Sequence, residues 1–227
     1  MSGDAAALGP WAPLWVTLKV ALWATVLGGA AGIGAGWAMA RRRFRGQEVL
    51  DALLLLPMVL PPTVLGYYLI VLVGRRGALG AWLDRWFGIQ LIFTWQGAAL
   101  AAALVSFPLV YKAARAAFED IEPHVAEAAR TLGARDYQVF WRVLLPLARR
   151  GIGAGLMLGF ARAMGEFGAT LMVAGNLPGR TQTLSVAIYE AVQAGRDAEA
   201  LWMTGLVSAV CVVLLVAAGR LLAPGHG

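Results

Sequence analysis

The chain has 227 residues, 59% of them hydrophobic and only 14% charged, with a mean hydropathy of +0.68 and a formal net charge of +6. Soluble domains carry about 45–50% apolar and about 25% charged residues, so this composition excludes an ordinary soluble enzyme, and its hydrophobicity excludes a disordered chain. The single Cys211 excludes an internal disulfide framework, and the two histidines, His124 and His226, lie too far apart in sequence to suggest a Cys/His zinc site.

A helix crossing the hydrocarbon core, about 30 Å thick, needs about 20 mostly apolar residues. Five segments qualify: 14–40, 50–73, 93–111, 151–174 and 201–222. The start of the chain has Asp4 and no basic residue before Lys19, so the positive region of a signal peptide is missing and the first span is expected to be retained. The expected fold class is all-α integral membrane: one transmembrane domain over residues 1–227 with about five spans.

Gly28, Gly32 and Gly36 share one face of the first span, and Gly151, Gly155 and Gly159 share one face of the fourth. Glycine at such spacing lets backbones approach, which predicts close helix packing rather than a ligand role. The second span reads Leu56-Pro57-Met58-Val59-Leu60-Pro61-Pro62-Thr63. Its three prolines remove three donors and free carbonyls one turn earlier, and such groups must face protein or a water-filled cavity. A kinked, cavity-lining helix is expected, with Gly66, Tyr67 and Tyr68 following toward the outer side, at a gate or at the membrane interface.

In the fourth span Arg162 and Glu166 stand four residues apart, with Thr170 one turn further. The two charges can touch, and they continue the glycine stripe, so they are expected to face the bundle interior. Arg before Glu is the weaker order for a helix pair, which leaves a more distant partner open for either. Ionisable groups in a span are costly and mark function by default. The two readings are a structural interior pair and a pathway or gate element. No second Asp, Glu or His lies in a span interior, so a proton relay is not expected.

Five spans put the termini on opposite sides. Arg41, Arg42, Arg43, Arg45, Lys112, Arg115, Arg130, Arg135, Arg142, Arg149, Arg150 and Arg220 fall on one side, against Arg75, Arg76, Arg85, Arg180 and Arg196 on the other. By the positive-inside rule the first set is cytoplasmic, the N-terminus is outside and the C-terminus inside. Trp11, Trp15, Trp82, Trp86, Trp95 and Trp202 then lie near outer ends, as an interfacial belt does. Topology accounts for the positive charge, so nucleic acid is not an expected partner.

The longest polar segment runs from Lys112 to Arg150. Pro123 suits a first helical turn, the Ala-rich run after it favours helix, and Gly133 offers a C-terminus. Asp136 is placed to cap a second short helix carrying Val139, Phe140, Val143 and Leu144 before Pro146. Two short helices joined at a glycine are expected. Val125, Ala128, Ala129 and Leu132 give the first an apolar face, with Glu127 and Arg130 alongside. Such a helix suits insertion into a partner's groove, or lies on the membrane surface.

Glu127-Ala128-Ala129, Gly133 after three residues, and Val143-x-Leu145-Pro146 resemble the EAA motif of bacterial ABC-importer permeases, with Val143 where Ile is usual. The likeness covers nearly the whole chain. Leu56-Pro57 with Leu60-Pro61-Pro62, Gly66-Tyr67, Ser106-Phe107-Pro108-Leu109 and Ala117-Phe118-Glu119 resemble the molybdate/sulfate branch. Gly165-Glu166-Phe167-Gly168-Ala169-Thr170, Gly175-Asn176, Gly179-Arg180-Thr181-Gln182-Thr183 and the segment from Ala187 to Gly195 are similar to the molybdate type.

The resemblance implies a permease subunit of an ATP-driven oxyanion importer in the bacterial or archaeal inner membrane. It implies an ATPase-coupling loop over 119–146, in which Glu127, Ala128, Ala129, Gly133, Val143 and Pro146 serve docking. It also implies two copies of this chain, two ATP-binding subunits, and an oxyanion-binding protein outside, for which loops 74–92 and 175–200 are candidate surfaces. The pathway or gate residues are then Pro57, Pro61, Pro62, Arg162, Glu166 and Thr170, with the charge of Glu166 repelling an anion at a closed gate. A Walker A loop needs a Gly-rich run ending in Gly-Lys-Ser/Thr, but the two lysines, Lys19 and Lys112, follow Leu18 and Tyr111. ATP is therefore expected to be used by the partner subunit, with no cofactor bound here. Sulfate, thiosulfate and tungstate are the alternative anions. A membrane enzyme lacks a catalytic cluster around His124. A secondary transporter would need paired broken helices, and only the second span carries the prolines that break one.

Overall fold

The structure, a computed structural model, describes residues 11–41 and 44–222, with side chains to residue 220. Asp4, Arg42, Arg43 and His226, used above, lie outside the described residues. Among the described residues every regular element is helical. The helices are α1 (Ala12–Arg41), α2 (Gln47–Val59), α3 (Pro62–Val73), α4 (Ala78–Phe87), α5 (Trp95–Glu119), α6 (Pro123–Thr131), α7 (Asp136–Val139), α8 (Leu145–Met164), α9 (Gly168–Ala174), α10 (Leu184–Gln193) and α11 (Asp197–Leu222). A π-helical turn, Phe140–Leu144, joins α7 to α8.

Four stretches are long and apolar enough to cross a membrane: α1, α5, Asp136–Met164, and α11 over Asp197–Arg220. Counted as one span, the bent pair α2–α3 brings the number to five.

α5 is the central helix. Thr94 starts it, its Oγ1 accepting the Gly97 N–H at 3.2 Å. Its small buried face includes Ala98, Ala99, Ala101, Ala102 and Ala103. The two glycine stripes press on it from α1 and α8. A Cβ on Gly36 would come within 2.8 Å of the Arg115 backbone, and one on Gly155 within 2.5 Å of Ala113 Cβ. Three helices thus approach at glycine–alanine distances, which a membrane bundle needs because lipid offers apolar side chains no hydrophobic drive toward each other. Lys19, half-buried in α1, is met by the Trp95 ring, with its ammonium 3.8 Å from the ring centre. Thr17 ties α1 to α10: its hydroxyl donates to Pro13 O at 2.8 Å and accepts the Leu184 N–H at 2.7 Å.

Three elements depart from expectation. The second span is not one kinked helix. α2 and α3 meet at 108°, because Pro61 and Pro62 leave the last turn of α2 without two consecutive donors while Pro61 and Pro62 start a new helix. The fourth span is interrupted as well. α8 stops at Met164, residues 165–167 are not helical, and α9 begins at Gly168. The second short helix of the polar segment is not separate, since α7, the π turn and α8 form one run from Asp136 to Met164. Pro146 does not end it. It sits in the first turn of α8, and just before it the Leu145 N–H donates back five residues to Phe140 O. The wider π turn makes room for the proline ring where an α-turn would clash.

Candidate functional site

The two interruptions lie side by side. A Cβ on Gly168, at the start of α9, would stand 3.0 Å from Pro62 Cβ at the start of α3. Beside them is a cavity of about 320 Å³ lined by Pro57, Met58, Val59, Leu60, Pro61, Pro62, Val105, Leu109 and Arg162. The carbonyls of Pro57 and Met58 lack helix-period N–H donors because residues 61 and 62 are prolines. Of these lining residues only Arg162 has a polar side chain.

Arg162 Nη1 lies 3.0 Å from Glu166 Oε2, so the expected pair forms, although Glu166 itself stands outside the helix. Glu166 Oε1 accepts the Ala169 N–H at 3.0 Å, which satisfies the first turn of α9 from the side of the break. Both carboxylate oxygens are thereby used, which is what a buried charge requires. The pair is lopsided: the Glu166 side chain is 2% exposed and that of Arg162 37%. The charge presented to the cavity is therefore positive. The Glu166 carboxylate, expected to repel an anion at a closed gate, lies buried at the break. Thr170 does not line the cavity. It is fully buried on α9, and its hydroxyl has no hydrogen-bond partner among the described residues.

The polar elbow is at the other end of α8. α6 starts at Pro123 and closes in a Schellman turn, in which the Gly133 N–H donates to Arg130 O at 2.9 Å and the Ala134 N–H to Ala129 O at 3.1 Å. Gly133 takes φ +85°, open to glycine but strained for a side chain. Arg130 reaches across the turn to Asp136, 2.9 Å away. Asp136 is therefore not the cap of α7. That place belongs to Arg135, whose N–H donates to Gln138 Oε1 at 2.8 Å. The predicted apolar face of α6 is divided. Ala126 is buried and Ala129 half-buried against the bundle with Val139 and Phe118, whereas Glu127, Ala128 and Leu132 are exposed. Leu132 is 89% exposed. Val143 lies half-buried in the π turn and Pro146 is exposed.

A third cluster went unread in the sequence. Asp51 on α2 accepts from Tyr111 Oη, from Lys112 Nζ at 3.1 Å and from Arg115 Nη1 at 2.7 Å, and Arg115 Nε reaches Glu119 at 2.7 Å. This network fastens the first half of the broken span to α5. It borders an open cavity of about 1530 Å³ between Arg41, Gln47, Glu119 and Ala126. Its signal was Asp51, one position inside the predicted span and matched by Tyr111-Lys112 and Arg115 at the end of another.

Residues 32–226 match the family described as binding-protein-dependent transport system inner membrane component. The chain is 46% identical over 183 residues to the molybdenum transport system permease protein ModB of Escherichia coli (strain K12), covering 81% of this chain and 80% of that one. It is 42% identical over 204 residues to the putative molybdenum transport system permease protein YvgM of Bacillus subtilis (strain 168), covering 89% and 87%. To the sulfate transport system permease protein CysW of Synechocystis it is 37% identical over 203 residues, covering 89% and 73%. A chain of the MetNI methionine ABC transporter, solved in inward facing conformations, shares the fold with a TM-score of 0.72, 18% identity and 97% coverage of both chains.

Proposed function

Because this chain belongs to the family of binding-protein-dependent transport system inner membrane components, it is a multi-pass inner membrane protein, and we propose that it is the permease subunit of an ATP-driven molybdate importer. Higher identity to permeases named for molybdenum, 46% and 42%, than to a sulfate permease, 37%, favours molybdate over sulfate.

One observation carries the mechanical part of the reading. The run Asp136–Met164 is a single helical rod of 29 residues, about 44 Å at 1.5 Å per residue. It joins the Gly133 elbow at one end to the Arg162 cavity at the other. Movement of an ATP-binding subunit against Glu127, Ala128, Ala129, Gly133, Val143 and Pro146 is then transmitted along α8 to Pro57, Pro61, Pro62, Arg162, Glu166 and Thr170. Rocking of such a rod is how alternating access works when helices move as rigid bodies. ATP is used by that partner, two copies of this chain form the pathway, and an extracytoplasmic oxyanion-binding protein delivers the anion. The elbow is cytoplasmic, the N-terminus outside and the C-terminus inside, as the basic residues direct.

The paired interruptions in the second and fourth spans remove one ground for setting a secondary transporter aside. Family membership supports the ATP-driven reading instead. Reconstitution tests it: this chain, its ATPase and its binding protein in proteoliposomes should take up labelled molybdate only with ATP inside the ATPase-accessible compartment. A cytoplasm-only reporter should be active after Arg130 and silent after Arg85. Uptake without ATPase, or activity after Arg85, refutes the reading.

A further inference from the structure

We infer that Arg162 is the contact that this chain offers to the oxyanion in transit, and that buried Glu166 is a positioning residue that keeps this contact weak. The inference rests on the reading that the substrate is an oxyanion.

Its basis is the asymmetry of the pair. A guanidinium has five N–H donors in a planar fork suited to tetrahedral oxyanions. Glu166 occupies one nitrogen, Nη1, at 3.0 Å, and lies behind it at 2% exposure. Arg162 remains 37% exposed and borders the cavity, where every other lining side chain is apolar. The second oxygen of Glu166 accepts the Ala169 N–H at 3.0 Å, which tethers the carboxylate to the first turn of α9. An anion at this place meets the positive end of a fixed dipole.

The same arrangement explains why the contact is not a trap. The pair as a whole is neutral, so attraction falls off faster than for a lone cation. A conducting site must bind well enough to admit the ion and loosely enough to release it. Glu166 supplies the second condition. A neutral glutamine here has one acceptor oxygen for the Ala169 N–H or for Arg162, so the charge of Arg162 would be uncompensated and an anion would be retained.

This makes a prediction that a purely structural pair does not share. In the solubilised complex with its ATPase but without the binding protein, labelled molybdate is measured by equilibrium dialysis at low ionic strength. Glu166→Gln should bind it on the order of tenfold tighter than the native complex. The double variant Arg162→Gln/Glu166→Gln leaves no orphaned charge inside and should lose that binding. In proteoliposomes the double variant should lose at least about tenfold in molybdate moved per ATP hydrolysed, and Arg162→Lys should keep part of that transport. Uptake at the native rate in the double variant, equal molybdate binding in Glu166→Gln and the native complex, or parallel loss of hydrolysis and uptake overturns the inference. If the native complex itself imports no molybdate but imports another solute, the substrate reading has failed, which is a separate result.

Discussion

The two ends of the α8 rod are held by opposite means. At the Arg162 end a carboxylate is buried to 2% exposure, and shape depends on the cavity-lining guanidinium that meets it. At the Gly133 end the chain turns on two backbone hydrogen bonds at φ +85°, bridged by the exposed Arg130–Asp136 pair, with nothing among the described residues within 4 Å of where a Cβ would stand. The first end is sensitive to any loss of a partner and insensitive to surface chemistry. The second has little packing to lose and leaves Glu127 and Leu132 exposed. A rod fixed by buried electrostatics at one end and exposed at the other is suited to receive a push and deliver it inside. Under the proposed function the difference separates two kinds of expected defect, in folding at the Arg162 end and in coupling at the elbow.

The largest expected effect tests that division at the buried end. Arg162→Ala leaves the Glu166 carboxylate inside with only the Ala169 N–H, and breaking a buried pair in this way costs about 3 kcal/mol or more. Glu166→Ala leaves instead a guanidinium that already reaches solvent or the cavity, so it should cost less. Thermal unfolding in detergent should therefore place Arg162→Ala clearly below Glu166→Ala. The reverse order contradicts the lopsided pair. At the elbow, Gly133→Val should cost about 1–2 kcal/mol, the price of a left-handed residue with a side chain. Since that space is open, the cost is conformational rather than steric. The reconstituted variant should fold, hydrolyse ATP and move little molybdate. Native uptake per ATP hydrolysed would sink the turn's role in coupling.

Part of this division was legible in the sequence. The elbow was, because Pro123, the Ala-rich run and Gly133 act locally, through φ angles and hydrogen bonds a few residues apart. The Pro61-Pro62 break was also visible, though as a kink, since proline chemistry removes donors without setting the angle of the next helix. The glycine stripes gave away the packing of α1 and α8. The break at residues 165–167 was hidden, because no proline marks it. It is stabilised by Glu166 taking the Ala169 N–H in place of a backbone carbonyl, and the same residue at helical spacing from Arg162 reads as an ordinary turn. Asp51 with Tyr111, Lys112 and Arg115 was hidden for a different reason. Their sequence separation is 60 or more, so only the fold brings them together. Burial direction was the last thing lost: periodicity placed Arg162 and Glu166 on one face, but only the structure tells which of the two charges meets the cavity.

The smallest expected effect on the fold is the sharpest test of the exposed end. Glu127 is exposed on α6, and the inward side of that helix is Ala126 and Ala129. Glu127→Ala removes no buried contact and improves helix propensity slightly, so unfolding should move by no more than about 0.5 kcal/mol. If Glu127 is a charged contact across the interface with the ATP-binding subunit, its loss should weaken association by about 1–1.5 kcal/mol, roughly tenfold in Kd. Leu132→Ala, which truncates the 89% exposed side chain, should likewise spare the fold and weaken association. The two outcomes must separate. Unchanged unfolding with weaker ATPase binding places partner recognition on the outer side of α6. Unchanged unfolding with unchanged binding in both variants removes the elbow from the interface and leaves the rod without its driver. A large fall in stability would mean that Glu127 serves the bundle after all, and that the contrast between the two ends of α8 is wrong.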